Sequence, residues 1–301
     1  VMTYKIFSKL LEDQTCYISI IPDSKNSLLA DFEIIDNTNL NKNSFGKTLI
    51  IGGADGYLGA VIIAGKSALR SGSRYVDVFT TKSNHGLISL NQPELITSYD
   101  FNTLTNKLSK YNNLLLGPGL SDSEWSHKIF SETKKMLSMG DIKKNIVIDA
   151  GYLNFLAQES FRNEYWILTP HAGEAAKLLN TSISDIENNR IDSAIRIQKQ
   201  YGGIIILKGH RTIIQTESDT FICSHGNSAM GTAGMGDCLG GIILSLISLV
   251  DIKDYKNAVL YAIAIHSLAA DNISTEKGKI GLLASDVIQE VNRIFNSIEK
   301  N

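Results

Sequence analysis

Short apolar segments that end in glycine, proline or a polar residue alternate with helical patterns along most of this 301-residue chain. The first unit begins with the β-branched segment KTLIIGG at Lys47, continues with a helical pattern that stops at Gly72, and ends with the segment RYVDVFT. A strand, a helix and a second strand in this order form a parallel β-α-β unit, because parallel strands need a crossover connection. Further strand patterns follow in NNLLLGPGL, NIVIDAG, YWILTP and GGIIILKG. The sequence therefore predicts an α/β fold whose central, mostly parallel sheet is flanked by helices on both faces.

Glycines and polar residues follow directly after the predicted strands. In open α/β sheets, ligands bind outside the carboxyl ends of the strands, so we expect these groups to lie on one rim of the sheet. They are Gly52–Gly53, Gly117–Gly119, Asp149–Gly151, Thr169–Gly173 and Lys208–Thr212.

The segment GNSAMGTAGMGDCLGGIILSLISL, residues 226–249, combines a glycine-rich loop, one carboxylate and an apolar helix. The glycines of its loop allow close approach of the backbone to a ligand. The first turn of the helix offers unpaired N–H groups and a positive dipole end, which suit a phosphate. Asp237 lies at this anion site, where it is suited to take a proton from a hydroxyl that attacks a phosphoryl group. The alternative is that Asp237 is a helix N-cap, and the segment lacks the GxxxxGK[ST] pattern of a P-loop.

Four other residues at predicted strand ends are candidates for the site. His171 is interpreted as a ligand contact, with a structural or solvated histidine as the alternative. Glu174 is either a helix N-terminal charge or a water-mediated holder of Mg²⁺, which needs only one or two carboxylates. Lys208 is interpreted as a phosphate contact rather than a solvated lysine, and Asp149 either holds a ligand hydroxyl or caps the next helix.

The composition excludes several classes of function. Hydrophobic residues make up 43% and charged residues 20% of the chain, and the formal net charge is -2, so no nucleic-acid partner is indicated. Three scattered cysteines do not form a disulfide or zinc pattern and fit a reducing cytoplasm. No signal peptide is evident, and the apolar run at residues 239–250 is shorter than the ~20 residues of a membrane span.

The remaining predictions concern domains and helices. Residues 1–45 are expected to be an N-terminal arm of uncertain structure, and residues 46–301 one domain. In the arm, Lys5–Leu11 is compatible with a short helix and Cys16–Ile21 with a strand. After GGIIILKG a hairpin pair is predicted. Helices are predicted at Trp125–Met139, Ser184–Gln200, Gly240–Val250, Tyr255–Asp271 and Ser285–Ile298, the last with Ser285 as its N-cap.

Eight segments between Gly46 and Ile298 are together similar to one family, the ADP- or ATP-dependent NAD(P)H-hydrate dehydratases of the ribokinase-like superfamily. Ala172 stands where this family often has proline, and Met235 where threonine is usual. In chain order the segments are GGADGYLGA, LRSGSRYVDVFT, PELIT, LLLGPGL, VIDAGYLN, LTPHAGE, ILKGHRT and GNSAMGTAGMGDCLGG.

The resemblance implies a ribokinase-like fold and a role for individual residues. Asp237 would be the catalytic base and would also contact the hydrated NADH or NADPH. The other residues implied for the hydrate are Ala60, Gly119 and His171. Those implied for ADP or AMP are Lys208, Gly209, His210, Arg211, Thr212 and Gly236, and the implied anion hole consists of Gly234, Met235 and Gly236.

The same resemblance implies Mg²⁺ and ADP or ATP as phosphoryl donor, a cytoplasmic homotetramer, and dehydration of the S-epimer of the hydrate. Some family members carry an epimerase domain in front. Only residues 1–45 precede the region of resemblance in this sequence, so a separate epimerase is expected to supply the correct epimer. Two alternatives remain open. One is a small-molecule kinase of the hydroxyethylthiazole or pyridoxal type, and the other is a nucleotide-binding protein without turnover.

Overall fold

The structure is a computed structural model that describes residues 3–10, 15–23, 47–138, 144–250 and 255–298. Within these residues, eleven strands form one sheet in the order β1-β2-β11-β10-β9-β8-β7-β6-β3-β4-β5. The strands are β1 Thr3–Leu10, β2 Thr15–Asp23, β3 Thr48–Ile51, β4 Val76–Phe79, β5 Ile96–Ser98, β6 Asn113–Leu116, β7 Asn145–Ile148, β8 Trp166–Leu168, β9 Ile204–Leu207, β10 Ile213–Gln215 and β11 Thr220–Cys223.

Most neighbouring strands run parallel, as the sequence predicts. Strands β3 to β9 pair only in parallel with one another, and β11 pairs in parallel with β2. Strand β10 is antiparallel to both β9 and β11, which confirms the predicted hairpin pair. The carboxyl ends of β3, β6, β7, β8 and β9 therefore lie on one rim, and each predicted glycine or polar group follows directly after one of these strands.

Eleven α-helices are present in the described residues. They are α1 Leu58–Arg70, α2 Lys82–Asn91, α3 Phe101–Lys110, α4 Glu124–Leu137, α5 Gly151–Gln158, α6 Ala172–Leu178, α7 Ile183–Asn188, α8 Arg190–Tyr201, α9 Met235–Ser248, α10 Tyr255–Lys277 and α11 Ala284–Ile298.

The helices cover both faces of the sheet, which confirms the predicted layers. Successive residues of a strand point to opposite faces. In β3, Ile50 packs in the core beneath α1, α9, α10 and α11, whereas Leu49 and Ile51 pack in the opposite core with α3 to α6 and α8. Because the central strands are buried on both faces, they are mostly apolar rather than alternating. None of the described helices combines the length and the apolar character needed to cross a membrane.

Several predicted elements differ from the structure. The helix predicted at Lys5–Leu11 is wrong, because Thr3–Leu10 is a strand paired with β2; the strand at Cys16–Ile21 is confirmed within β2. The single helix predicted at Ser184–Gln200 is two helices, α7 and α8, separated at Asn189. Ser285 lies inside the first turn of α11 and is therefore not its N-cap. Three short elements, α2, β5 and α3, were not predicted.

Helix α9 packs directly against α1, and this contact sets the position of its first turn. Gly241 makes the close approach possible, since a Cβ there would lie 2.2 Å from the carbonyl oxygen of Ala64 and 2.8 Å from the Cβ of Ser67. Nearby, the Ser67 hydroxyl donates a hydrogen bond of 2.7 Å to the carbonyl oxygen of Cys238. The first turn of α9 is thereby held next to the carboxyl ends of the central strands.

We predict that Gly241→Ala lowers the free energy of unfolding by about 1–3 kcal/mol, because the added methyl group overpacks a backbone contact. Gly86→Ala in α2 is the matched control. Gly86 is exposed and a Cβ there meets no atom within 4 Å, so this change should instead raise stability by about 0.5–1 kcal/mol. Urea unfolding of both variants measures the difference. Equal stabilities would contradict the packing described for Gly241.

Candidate active site

A cavity of about 950 Å³ opens at the predicted rim of the sheet. One side is formed by residues after β7, β8 and β9. The other side is formed by the segment that leads into α9, and by Ile263, His266 and Ser267 of α10. Of the predicted site residues, the cavity brings together His171, Glu174, Lys208 to Thr212 and Gly234 to Asp237.

Lys208 lies at the centre of a cluster of carboxylates in this cavity. Its Nζ is 2.7 Å from Oδ1 of Asp149 and 3.7 Å from Oε2 of Glu174. The hydroxyl of Thr169 also donates to Oδ1 of Asp149, at 2.6 Å. Gly236 allows the backbone to lie against this cluster, since a Cβ there would be 3.3 Å from Nζ of Lys208.

Asp149 and Lys208 are both ionised. Burial alone would raise the pKa of Asp149, but the Lys208 charge and the hydrogen bonds from Lys208 and Thr169 hold it below its usual value. Burial opposes the charge of Lys208 as well, and the carboxylates of Asp149 and Glu174 nevertheless raise its pKa. The predicted cap role of Asp149 is wrong, because Ala150 takes the N-cap position of α5 without a side-chain bond. A solvated Lys208 is also wrong, since its side chain is only 19% exposed.

Asp237 lies in the first turn of α9 and faces the cavity. The N-cap of this helix is Gly234, in a left-handed conformation with φ 87°, so the alternative that Asp237 is the N-cap is wrong. Within the part of the chain that the structure describes, no group donates a hydrogen bond to its carboxylate. Burial and the charges of Asp149 and Glu174 raise its pKa to about 7, while the charge of Lys208 acts in the opposite direction. A carboxyl group with this pKa is suited to exchange a proton near neutral pH.

His171 and Glu174 form a capping box at the start of α6. Nδ1 of His171 accepts from the amides of Gly173 at 2.9 Å and Glu174 at 3.2 Å, and Oε2 of Glu174 accepts from the His171 amide at 2.7 Å. Burial, followed by the Lys208 charge, lowers the pKa of His171, and burial raises that of Glu174 to about 7. Glu174 thus has the helix N-terminal position that the sequence predicted, while it also faces the cavity.

The described residues contain no group of three or more His, Cys, Asp or Glu side chains that could hold a metal ion by themselves. Mg²⁺ in nucleotide sites uses one or two carboxylates together with phosphate oxygens and water. Asp237 and Glu174 both line the cavity and supply such oxygens. The donor set therefore fits a Mg²⁺ ion that arrives with a nucleotide.

The turn at residues 208–212 is supported by Arg190, a residue that the sequence did not indicate. The guanidinium of Arg190 donates to the carbonyl oxygens of Leu207 at 3.1 Å and Lys208 at 3.3 Å. Gly209, with φ 146°, packs on the same guanidinium, and Arg211 adopts φ 55°. The amides and side chains of this turn consequently border the cavity in a fixed arrangement.

Ala60 and Gly119 lie on the same rim but are not among the residues that line the cavity. They contact each other beside the exposed Tyr57: a Cβ on Gly119 would be 2.8 Å from the Tyr57 carbonyl oxygen and 3.1 Å from the Cβ of Ala60. The carbonyl of Gly119 accepts from the Ala54 amide at 2.8 Å, which joins the ends of β3 and β6. The predicted hydrate contacts thus form two patches along one rim, and their roles stay predictions.

Sequence reasoning missed the α10 side of the cavity. Ile263, His266 and Ser267 belong to a buried apolar helix with no motif around them, so no local signal pointed to the site. It also missed the ion pair between Asp149 and Lys208, although both residues were named separately.

Comparison with known proteins agrees with this geometry. A family model described as NAD(P)H-hydrate dehydratase matches residues 48–293, which is most of the chain. The chain belongs to the NAD(P)H-hydrate dehydratase family. The family resemblance inferred from the motifs is therefore confirmed.

Two relatives illustrate the range of the family. The bifunctional NAD(P)H-hydrate repair enzyme of Coxiella burnetii is 36% identical over 259 residues, which cover 85% of this chain and 51% of the relative. The chain thus spans about half the length of such bifunctional relatives. The ADP-dependent (S)-NAD(P)H-hydrate dehydratase of Lactiplantibacillus plantarum is 30% identical over 241 residues, which cover 79% of this chain and 84% of the relative.

A solved structure confirms the ribokinase-like fold class. The ADP/ATP-dependent NAD(P)H-hydrate dehydratase of Bacillus subtilis, co-crystallised with ATP and Mg²⁺, superposes with a TM-score of 0.77 at 25% sequence identity. The alignment covers 92% of this chain and 100% of that structure.

We predict that Lys208→Met lowers the free energy of unfolding by about 3–5 kcal/mol at neutral pH, because it leaves the buried Asp149 carboxylate without its counter-charge. Adding Asp149→Asn should recover part of this loss, so that a double-mutant cycle gives a large coupling energy. The control is Lys177→Met in α6, which removes an exposed lysine bonded to Asn154 and should change stability little. Additive effects of the two site mutations would contradict the ion pair.

Proposed function

We propose that this chain dehydrates the S-epimer of hydrated NADH or NADPH, with ADP or ATP as phosphoryl donor, and so restores NADH or NADPH. The observation that carries the proposal is Asp237. It is a half-buried carboxyl group with a pKa raised to about 7, in the first turn of a helix whose N-terminus faces a cavity. Family membership favours this reaction over a small-molecule kinase that retains its phosphorylated product.

The first turn of α9 supplies the anion site. In the described part of the chain, the amides of Gly234 and Gly236 donate no hydrogen bond, and both residues line the cavity. The Met235 amide already donates to the carbonyl oxygen of Thr232 at 3.3 Å. Of the three residues predicted for the anion hole, Met235 therefore has the N–H group that is least available to a phosphate. Unpaired amides at a helix N-terminus stabilise phosphate oxygens and the charge that develops on them.

Asp237 acts as the general base in this proposal. Its carboxylate takes the proton of the hydroxyl on the saturated ring carbon while that oxygen attacks the terminal phosphoryl group. The phosphate then leaves the carbon as the ring nitrogen donates its electron pair, and loss of a proton from the neighbouring ring carbon restores the dihydronicotinamide. The products are NADH or NADPH, phosphate, and AMP from ADP or ADP from ATP.

In this proposal Lys208 has a second part besides the phosphate contact expected from the sequence. Lys208 is paired with Asp149 and lies near Glu174, so its positive charge offsets the negative charge of these carboxylates. Residues 208–212 and Gly236 would hold the nucleotide, and His171 with Ala60 and Gly119 would hold the hydrate along the rim. Glu174, through water, would hold Mg²⁺, which supplies charge neutralisation for the phosphates.

Further parts of the proposal concern context. We propose that residues 46–301 act as one catalytic domain, that the enzyme works in the cytoplasm as a homotetramer, and that an epimerase activity supplies the S-epimer. ADP is the donor in the printed name of the Lactiplantibacillus relative, and ATP accompanied the Bacillus enzyme in its crystals.

The test is the near-ultraviolet absorbance of the restored dihydronicotinamide, measured with hydrated NADH, Mg²⁺ and either ADP or ATP. We expect a nucleotide-dependent rise with one phosphate released per ring restored. Asp237→Asn should lower the turnover number by about 10²–10⁴-fold while nucleotide binding is retained, because only the proton acceptor is removed. Asp192→Asn, on the exposed surface of α8, should turn over like the parent protein. No rise with either nucleotide would reject the function, and full activity of Asp237→Asn would remove Asp237 from the mechanism.

The pH dependence of kcat/KM follows from the pKa of about 7 for Asp237. The base must be ionised to accept a proton, so kcat/KM should fall about tenfold for each pH unit below that value and level off above it. The titratable groups that surround Asp237 are Asp149, Glu174 and Lys208. In Asp237→Asn the residual rate should lose this acidic limb. An unchanged limb in the variant would assign the titration to another group.

A further inference from the structure

The wall segment, residues 225–232, forms the side of the cavity that leads into α9. It contains only one short turn of 3-10 helix, Ser228–Met230, and no strand of the sheet pairs with it. Its position therefore depends on side-chain contacts with the rest of the protein.

One carboxylate on α10 makes most of these contacts. Oδ2 of Asp271 accepts from the amide of Gly226 at 2.9 Å, and Oδ1 accepts from Nδ2 of Asn227 at 2.8 Å. Nδ1 of His225 lies 3.5 Å from Oδ2. Burial works against the charged form, but the hydrogen bonds from His225, Gly226 and Asn227 hold the pKa of Asp271 below its usual value. The carboxylate is thus an ionised acceptor for three successive residues of the wall segment.

Asn227 transmits this contact along the chain. Its Oδ1 accepts from the Ala229 amide at 3.0 Å and from the Ser274 hydroxyl at 3.3 Å, so it caps the short turn. The Thr232 hydroxyl then donates to the carbonyl oxygen of Ala229 at 3.1 Å. The carbonyl of Thr232 in turn accepts from the Met235 amide at the start of α9. A continuous series of hydrogen bonds therefore joins α10 to the helix that carries Asp237.

Asp271 itself is not among the residues that line the cavity, whereas Gly226 and Asn227 are. It therefore acts on a ligand only through the wall segment. A segment that is ordered before binding loses less conformational entropy when a ligand docks against it.

We propose that the pair Asp271 and Asn227 is a positioning device that orders the wall segment for the nucleotide, and that it sets nucleotide affinity rather than the rate of the chemical step. The identity of the ligand as ADP or ATP rests on the proposed function. Asn227 lies in the glycine-rich segment 226–249 but had no role assigned to it, and Asp271 lies outside every quoted motif. Neither takes part in proton or phosphoryl transfer.

An exchange of the two side chains tests the proposal. In Asp271→Asn, the new NH₂ group faces a donor of the wall segment, either the Gly226 amide or Nδ2 of Asn227. In Asn227→Asp, two carboxylates face each other. In the double variant the new amide at position 271 can donate to the new carboxylate at position 227 and accept from the Gly226 amide. The new carboxylate can still accept from the Ala229 amide. It can also still accept from the Ser274 hydroxyl, so the hydrogen bonds of the original pair can all form with the charge moved to position 227.

We expect each single variant to raise the Kd for ADP about tenfold or more by calorimetry, with kcat at saturating nucleotide within about twofold of the parent protein. The double variant should regain most of the affinity. Hydrogen exchange of residues 225–232, measured without nucleotide, should be faster in the single variants and slow again in the double variant. Glu276→Gln removes one exposed charge from the same helix and should leave all of these quantities unchanged.

Thermal unfolding establishes that each variant is folded before it is measured. The proposal is overturned if the single variants bind ADP like the parent protein, if they lower kcat without changing Kd, or if the double variant shows no recovery. If the parent protein binds neither ADP nor ATP, the proposed function fails and this inference fails with it. If the parent protein binds nucleotide and the variants do not differ, only the inference fails.

Discussion

The buried contact between Lys208 and Asp149 is the interaction on which the rest of the site depends. It joins the ends of β7 and β9, two strands separated in the sheet by β8, and it lies against the backbone of Gly236. Three carboxylates, Asp149, Glu174 and Asp237, share this one ammonium group. Because a single cation cannot stabilise three buried anions equally, the nearest one stays ionised and the others have raised pKa values. The cluster thereby separates a permanent charge from a carboxyl group that can exchange a proton.

The sheet makes this sharing possible. Parallel strands place their carboxyl ends on one edge, so residues far apart in sequence meet there without long loops. The close packing of α9 on α1 then brings a helix N-terminus to the same edge. The proposed anion site and the proposed proton acceptor consequently lie within one helical turn, which is the arrangement that phosphoryl transfer needs.

The α10 side of the cavity has a different physical basis. The rim residues are fixed by strands, but the wall segment is fixed by hydrogen bonds to Asp271 and Asn227. Rigid elements therefore carry the groups assigned to the chemical step, whereas a side-chain pair holds the surface assigned to nucleotide binding. The two functions can vary separately, since a change in the wall segment does not require a change in the sheet.

The sequence by itself determined the strand-and-helix alternation and the rim, because hydrophobic periodicity and glycine-rich turns are local properties. Its motifs identified the family and indicated Asp237 as the candidate base. It did not separate a strand from a helix at residues 5–11, where no periodic pattern decides, and it left two roles open for Asp149. Only the tertiary structure decided that Asp149 pairs with Lys208, that Gly234 rather than Asp237 is the N-cap, and that α10 completes the cavity. These facts depend on distances between residues remote in sequence. Such distances are set by tertiary packing, which no single segment of the sequence determines.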